Sequence, residues 1–151
     1  MSVESRLDFI KASPLAFQAM MGLESYIEKC DLDPLLIKLI KIRASQINKC
    51  SFCIDMHVTE AKKKGESEVR LHQIAVWPES PFFSDKEKAV LAFTESVTKI
   101  DIEGVTQEKY DLLKKYFSDK EIIDMTMCLS AINAWNRFCV TFKTVPMSYL
   151  K

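Results

Sequence analysis

The chain has 151 residues, 48% of them hydrophobic and 28% charged, a composition typical of one globular domain with a substantial core. Its 21 basic and 21 acidic residues balance to a formal net charge of zero, so the overall charge does not point to nucleic acid. No apolar run is long enough to span a bilayer, and the N-terminus lacks the pattern of a signal peptide. We expect a single domain over residues 1–151, with no membrane or nucleic-acid partner.

The five cysteines are an odd number at scattered positions, which argues against a secreted disulfide framework. They are Cys30, Cys50, Cys53, Cys128 and Cys139. The pattern favours a reducing, cytoplasmic environment in which a close pair of cysteines has a chemical role.

Helix starts recur along the chain, and only three glycines and five prolines interrupt it. Each start has a residue that can accept hydrogen bonds from the first turn, followed by proline or by a capping glutamate. The predicted starts are Ser13-Pro14, Asp33-Pro34, Ser84 with Glu87, Thr106, and Ser118 with Glu121. Gly65, after three lysines, is a predicted C-terminal cap.

The segment from Pro34 has an amphipathic pattern. Apolar residues recur at helical spacing from Leu36 to Ile47, whereas Lys38, Lys41 and Ser45 fall on the opposite side. No strand alternation bounded by hairpin turns and no repeat is present in the sequence. The sequence therefore predicts an all-α fold of about six or seven helices.

The stretch CSFCIDMH carries the strongest chemical signal. On a helix, Cys50, Cys53 and His57 share one face, because they are spaced by three and four residues. Cysteines in a first turn face unpaired N–H groups and the positive end of the helix dipole, which favour the reactive thiolate. His57 can take the proton from Cys53, and a sulfenic acid formed on Cys53 by a peroxide can condense with Cys50.

Three other roles are conceivable for the cysteines. A structural zinc site needs four ligands and usually a second cysteine pair, which the spacing of Cys128 and Cys139 does not supply. A thioredoxin domain requires strands that the sequence does not predict. Burial in the core is the expected role of Cys30, Cys128 and Cys139, but it explains the pair beside His57 less well. We predict no metal and no cofactor.

The stretch IKIRASQINKCSFCIDMHVTEAKKKGE resembles the core motif of the AhpD-like alkylhydroperoxidase family, within the carboxymuconolactone decarboxylase superfamily. The resemblance continues through VWPESPFFSDKEKAVLAFTESVT and AINAWNRF. It implies an all-helical fold that assembles as a homo-trimer or homo-hexamer. It also implies a thiol peroxidase in which Cys53 attacks the peroxide, Cys50 resolves the intermediate and His57 belongs to a proton relay. In the best-understood members, a lipoyl-bearing protein supplies the electrons.

One position departs from the family pattern. The relay of the family usually begins at a glutamate twelve residues before the first cysteine, and this chain has Lys38 there. A lysine cannot replace a carboxylate that accepts a proton, although its charge can favour a nearby thiolate. Glu60 can reach the face of His57, but we expect it to be a solvated surface residue. Asn133, Trp135, Asn136 and Arg137 are expected in helix packing or a subunit contact.

The predicted function is that of a thiol-dependent peroxidase, with catalytic residues Cys50, Cys53 and His57. Its predicted partners are a hydroperoxide substrate and an external dithiol reductant. Three alternatives remain: a general thiol–disulfide oxidoreductase, a non-catalytic or weakly active oligomeric protein of the same superfamily, and a decarboxylase-like enzyme. The paired cysteines argue against the last, because that chemistry has no evident use for them.

Overall fold

The computed structural model describes residues 3–150, and all regular structure within that range is helical. It comprises eight α-helices and two short 3₁₀-helices, at Ile74–Val76 and Met147–Leu150. The α-helices are α1 (Phe9–Ala12), α2 (Pro14–Lys29), α3 (Pro34–Ile47), α4 (Ser51–Lys63), α5 (Glu68–Gln73), α6 (Asp85–Thr98), α7 (Gln107–Lys114) and α8 (Asp119–Thr141). The all-α prediction is confirmed for the described residues.

The predicted helix starts are confirmed. Ser13, Asp33 and Thr106 each accept a hydrogen bond from a first-turn N–H group of α2, α3 and α7 respectively. Ser84 and Ser118 form complete capping boxes at the starts of α6 and α8. These caps are local in sequence, which explains why they could be predicted. The predicted number of helices was too low, because the single turn α1, capped by Asp8, was not expected.

Helix α3 lies at the centre of the fold and packs against α4, α6 and α8. The side of α3 opposite its apolar residues is therefore largely shielded from water as well. Lys41 and Ser45 are buried, and only 14% of the Lys38 side chain is exposed. The polar side chains of α3 therefore meet other helices instead of water.

The polar groups of α3 are paired inside the protein. Lys41 forms an ion pair with Glu24 of α2, with Nζ 2.7 Å from Oε2, and Glu24 also accepts a hydrogen bond from Trp135 of α8. Ser45 donates to the carbonyl of Lys41. Burial of such groups is tolerated because each has a partner.

The core is continuous across α3, α4, α6 and α8. Its fully buried side chains include Ile40, Leu91, Met125 and Leu129. Within residues 3–150, every helix is too short or too polar to cross a membrane.

Candidate redox site

The turn between α3 and α4 places the first cysteine. Asn48 ends α3, Lys49 adopts a left-handed conformation with φ of 56°, and Cys50 is extended. The N–H group of Cys50 donates to the carbonyl of Ser45 at 3.0 Å. This short turn brings Cys50 to the N-cap position of α4.

Amide side chains from α8 hold this turn in place. Asn48 donates through Nδ2 to the Oδ1 atoms of Asn133 and Asn136, each at 2.9 Å. Asn136 in turn donates to the hydroxyl of Ser45 at 3.1 Å. The sequence predicts that Asn133 and Asn136 serve in helix packing or a subunit contact, and within this chain they pack against the residues preceding Cys50 and hold them by hydrogen bonds.

Cys50 and Cys53 form a disulfide at the start of α4, with their Cα atoms 5.4 Å apart. The N–H group of Cys53 donates to Cys50 Sγ at 3.3 Å. The unpaired N–H groups of a first helical turn and the helix dipole stabilise negative charge here once the disulfide is reduced. Both residues are only 1% exposed. Cys53 lies in the first turn of α4 as predicted, and Cys50 directly precedes this turn as the N-cap residue.

His57 lies one turn beyond Cys53 on α4 and is 4% exposed. Its Nδ1 atom is 3.1 Å from Oε2 of Glu60. Burial lowers the pKa of His57 below its usual value, with a smaller opposing effect of Glu60. The imidazole is therefore neutral at neutral pH.

Glu60 joins His57 to Lys38. Its Oε2 atom is 2.5 Å from Lys38 Nζ as well as 3.1 Å from His57 Nδ1. The hydrogen bond with His57, together with that from Lys38, lowers the pKa of Glu60 to about 2. The expectation that Glu60 is merely a solvated surface residue is wrong, although 42% of its side chain is exposed.

The ionised state of Glu60 determines the tautomer of His57. An ionised carboxylate can only accept hydrogen bonds, so the Nδ1 atom of the neutral ring must carry the proton. The Nε2 atom is then the one with a free electron pair, and it is the one that can act as a base. The carboxylate behind the histidine thus comes from α4, and not from the position in α3 that holds Lys38.

A cavity of about 750 Å³ lies beside these residues. His57, Glu60 and Lys38 contribute its polar wall, and Phe17, Ile37 and Trp135 belong to its apolar wall. Cys50 and Cys53 do not line the cavity, whereas Cys139 does. A molecule in the cavity therefore meets His57 and Cys139 before it meets the disulfide.

Cys139 of α8 lies close to the pair. The sulfur atoms of Cys50, Cys53 and Cys139 all lie within 4.8 Å of one another. In the reduced state they could supply three thiolate ligands to a soft metal ion, one fewer than a closed structural zinc site requires. The sequence predicted only a core position for Cys139, because nothing local indicates its proximity to α4. Cys128 is a core residue as predicted, and burial raises its pKa to about 12.

Fold and site together define an all-helical protein with a Cys-x-x-Cys disulfide at a buried helix start and a histidine–carboxylate pair one turn later. The family model described as the carboxymuconolactone decarboxylase family matches residues 14–96. The chain belongs to this family, and its predicted AhpD-like character is confirmed.

Three relatives illustrate the similarity. The uncharacterised protein YdfG of Bacillus subtilis (strain 168) is 34% identical, over 91% of this chain and 94% of its own length. ATU0492 of Agrobacterium tumefaciens is a protein of unknown function named as a candidate antioxidant defence protein AhpD. Its crystal structure superposes with a TM-score of 0.93 at 43% identity, covering 95% of this chain and 98% of that one. The crystal structure of an uncharacterised peroxidase-related protein of Ralstonia eutropha JMP134, with an AhpD core, superposes with a TM-score of 0.81 at 20% identity. The match covers 91% of this chain and 74% of that one, and it shows the shared fold.

Proposed function

We propose that the protein is a thiol-dependent peroxidase that reduces organic hydroperoxides through Cys53, Cys50 and His57. The observation that carries the proposal is the Cys50–Cys53 disulfide at the start of α4, one turn from a buried histidine whose partner is a carboxylate. The family supports it, as does the association of ATU0492 with antioxidant defence.

The reaction needs two thiols in sequence. The Cys53 thiolate attacks the peroxide, which cleaves the O–O bond, gives a sulfenic acid and releases an alcohol once the leaving oxygen is protonated. The Cys50 thiol then attacks the sulfenic sulfur, which forms the disulfide and releases water. An external dithiol restores both thiols through exchange with the disulfide and becomes oxidised itself.

His57 is the proton-transfer group in this scheme. Its neutral Nε2 atom accepts the Cys53 proton, and the resulting imidazolium can protonate the leaving alkoxide. Glu60 favours the imidazolium through its charge and holds the ring through Nδ1. Burial lowers the pKa of His57 and the charge of Lys38 adds to this effect, so the imidazolium gives up its proton readily.

The cavity favours hydroperoxides with an apolar body. Its wall includes the aromatic side chains of Phe17 and Trp135, and its charged lining has four carboxylates but only three lysines. Two of these lysines, Lys38 and Lys41, are already paired with Glu60 and Glu24. A carboxylated or phosphorylated substrate would compete with these pairs. An organic hydroperoxide of moderate size fits the space better than an anion does.

The proposal is tested with reduced protein, cumene hydroperoxide and a count of free thiols before and after the reaction. Wild type should lose two thiols per chain. Cys53→Ser should lose no thiols on the timescale of the wild-type reaction. Cys128→Ser is the matched control, because that thiol is fully buried away from the cavity, and it should behave like wild type. Loss of thiols in Cys53→Ser as fast as in wild type would contradict the assignment.

A general thiol–disulfide oxidoreductase is the second candidate, since the disulfide at a helix start serves that chemistry equally. It predicts rapid exchange with dithiols but no peroxide-driven loss of thiols. A non-catalytic relative would show neither. Assembly as a homo-trimer or homo-hexamer remains a prediction, which sedimentation of the purified protein would check.

A further inference from the structure

Cys139 is a buried thiol for which the proposed peroxidase cycle has no use. Its sulfur lies within 4.8 Å of both sulfurs of the disulfide, so a movement of at most about 3 Å would bring it to bonding distance of either one. The residue also lines the cavity, whereas the two members of the disulfide do not. It therefore lies both near the redox pair and on the wall of the cavity.

We propose that Cys139 is a third redox residue, which exchanges with the Cys50–Cys53 disulfide and transfers it toward the cavity. The Cys139 sulfur attacks Cys53, the bond between Cys50 and Cys53 breaks, and a bond between Cys53 and Cys139 forms. The proton leaves Cys139 and is taken up by the released Cys50 sulfur. No net oxidation or reduction occurs, so the step needs no further reagent.

The position of Cys50 explains why it is the leaving group. Its sulfur accepts the N–H group of Cys53 and lies at the N-cap of α4, where a released thiolate is stabilised. A more stable thiolate leaves faster in thiol–disulfide exchange. Attack on Cys50 would instead release Cys53, which is not the N-cap residue. The favoured product is therefore the bond between α4 and α8.

Exchange with Cys139 would make the disulfide easier for an external dithiol to reach. Cys50 and Cys53 are 1% exposed, and an external dithiol must reach a sulfur of the disulfide to reduce it. A bond to Cys139 places one sulfur of the disulfide on the wall of the cavity. The inference rests on the proposed thiol chemistry of the pair, and it identifies Cys139 as the point at which the reductant attacks.

Trypsin makes the exchanged bond easy to recognise. Cleavage after lysine and arginine places Cys50 and Cys53 together in the peptide 50–62 and Cys139 alone in the peptide 138–143. Cys30 and Cys128 fall in two other peptides, 30–38 and 121–137. A disulfide between the peptides 50–62 and 138–143 can arise only from Cys139 and a member of the pair.

The first test uses Cys50→Ser, because serine is a good N-cap and should preserve the start of α4. The variant is treated with diamide, blocked with N-ethylmaleimide, digested and analysed by mass spectrometry. We expect the Cys53–Cys139 cross-link, and we expect its loss in Cys50→Ser/Cys139→Ser but not in Cys50→Ser/Cys30→Ser. Free thiols at both positions, or a cross-link to Cys30, would overturn the proposal.

Diamide also separates this inference from the proposed function, because it oxidises thiols without a peroxide. If diamide produces the cross-link but cumene hydroperoxide does not consume the Cys53 thiol, the peroxidase assignment fails and the role of Cys139 stands. If hydroperoxide consumes the Cys53 thiol but neither oxidant produces the cross-link, the peroxidase assignment stands and the role of Cys139 fails.

The second test measures reduction of the oxidised wild-type chain by dithiothreitol. Cys139→Ser should slow the reduction by about tenfold, since the dithiol must then reach the buried pair directly, and a rate within about threefold of wild type would overturn the relay. Cys30→Ser is the matched control, because Cys30 also lines the cavity but is not grouped with the three sulfurs. Circular dichroism of each variant confirms that the helices are retained.

Discussion

The ammonium group of Lys38 lies 2.5 Å from the carboxylate of Glu60, and this contact explains how the site departs from the expected pattern. The relatives that the sequence resembles usually carry the carboxylate in α3, at the position of Lys38. Here α3 supplies the cation, and α4 supplies the carboxylate that contacts His57. The site therefore retains a histidine–carboxylate pair, although its carboxylate comes from α4 instead of α3.

The pKa of His57 should respond to Glu60. In wild type, burial and the lysine charges lower the pKa of His57, and Glu60 partly offsets them. Glu60→Gln removes that offset and leaves Lys38 without its counter-charge, so the pKa of His57 should fall further. Because the chain has two histidines, NMR titration of the oxidised protein resolves them easily, and His72 provides the reference signal. A rise in the pKa of His57 in Glu60→Gln would contradict this electrostatic account.

Glu60 should also make stability depend on pH. Its pKa is about 2 in the folded protein, compared with 4.5 for an unperturbed glutamate. The unfolded chain therefore binds more protons between these values, and the contribution of Glu60 is present above pH 4.5 and lost as the pH falls toward 2. With screening at a side chain that is 42% exposed, we expect this contribution to be about 1 kcal/mol.

Urea unfolding of wild type and Glu60→Gln between pH 6 and pH 2.5 measures this contribution. The difference in the free energy of unfolding should shrink as the pH falls, because a protonated Glu60 resembles glutamine. A difference that stays constant over the range would show that Glu60 does not titrate as the contacts predict.

The buried ion pair of Lys41 and Glu24 should be sensitive to which partner is removed. Glu24→Gln leaves the Lys41 ammonium group, which is only 4% exposed, without a counter-charge. We expect the free energy of unfolding to fall by about 3 kcal/mol. Lys41→Met should cost less, because Glu24 is 19% exposed and keeps its hydrogen bond from Trp135. Urea unfolding of both variants tests the order. The double variant should recover part of the loss from Glu24→Gln, and equal losses in the two single variants would contradict the prediction.

Lys49 should reveal the strain of the turn that precedes Cys50. Its φ of 56° lies in the left-handed region, which costs a residue with a Cβ atom about 1–2 kcal/mol. Lys49→Gly removes that cost but increases the entropy of the unfolded chain, so stability should rise by about 0–1 kcal/mol. Lys49→Val should be clearly less stable, since a β-branched residue tolerates this conformation poorly. A valine variant as stable as wild type would argue against a left-handed residue 49.

Local features of the chain were predictable from the sequence. The caps at Asp33, Ser84 and Ser118 and the shared face of Cys50, Cys53 and His57 each depend on residues a few positions apart. Their geometry follows from the helix itself. The sequence therefore predicted the redox pair and its histidine together with the helices that carry them.

Contacts between helices were not predictable in the same way. Glu60 is paired because α3 brings Lys38 beside α4, and Cys139 joins the pair because α8 packs against α4. Likewise, the amides of Asn133 and Asn136 acquire their role only when α8 meets the turn at Asn48. No local sequence pattern indicates these contacts, so the sequence predicted a surface position for Glu60, a core position for Cys139, and helix packing or a subunit contact for the two asparagines.

The short span of the Cys50–Cys53 bond has a consequence for folding. A cross-link between residues three positions apart removes little conformational entropy from the unfolded chain. In the chain-entropy model it stabilises the folded protein by about 2 kcal/mol. A bond from Cys53 to Cys139 would enclose about 90 residues and would correspond to almost 5 kcal/mol. Gain or loss of the helix-start disulfide therefore shifts the folding equilibrium by less than half as much, in free energy, as a cross-link to α8, which would make unfolding much harder for as long as it lasted.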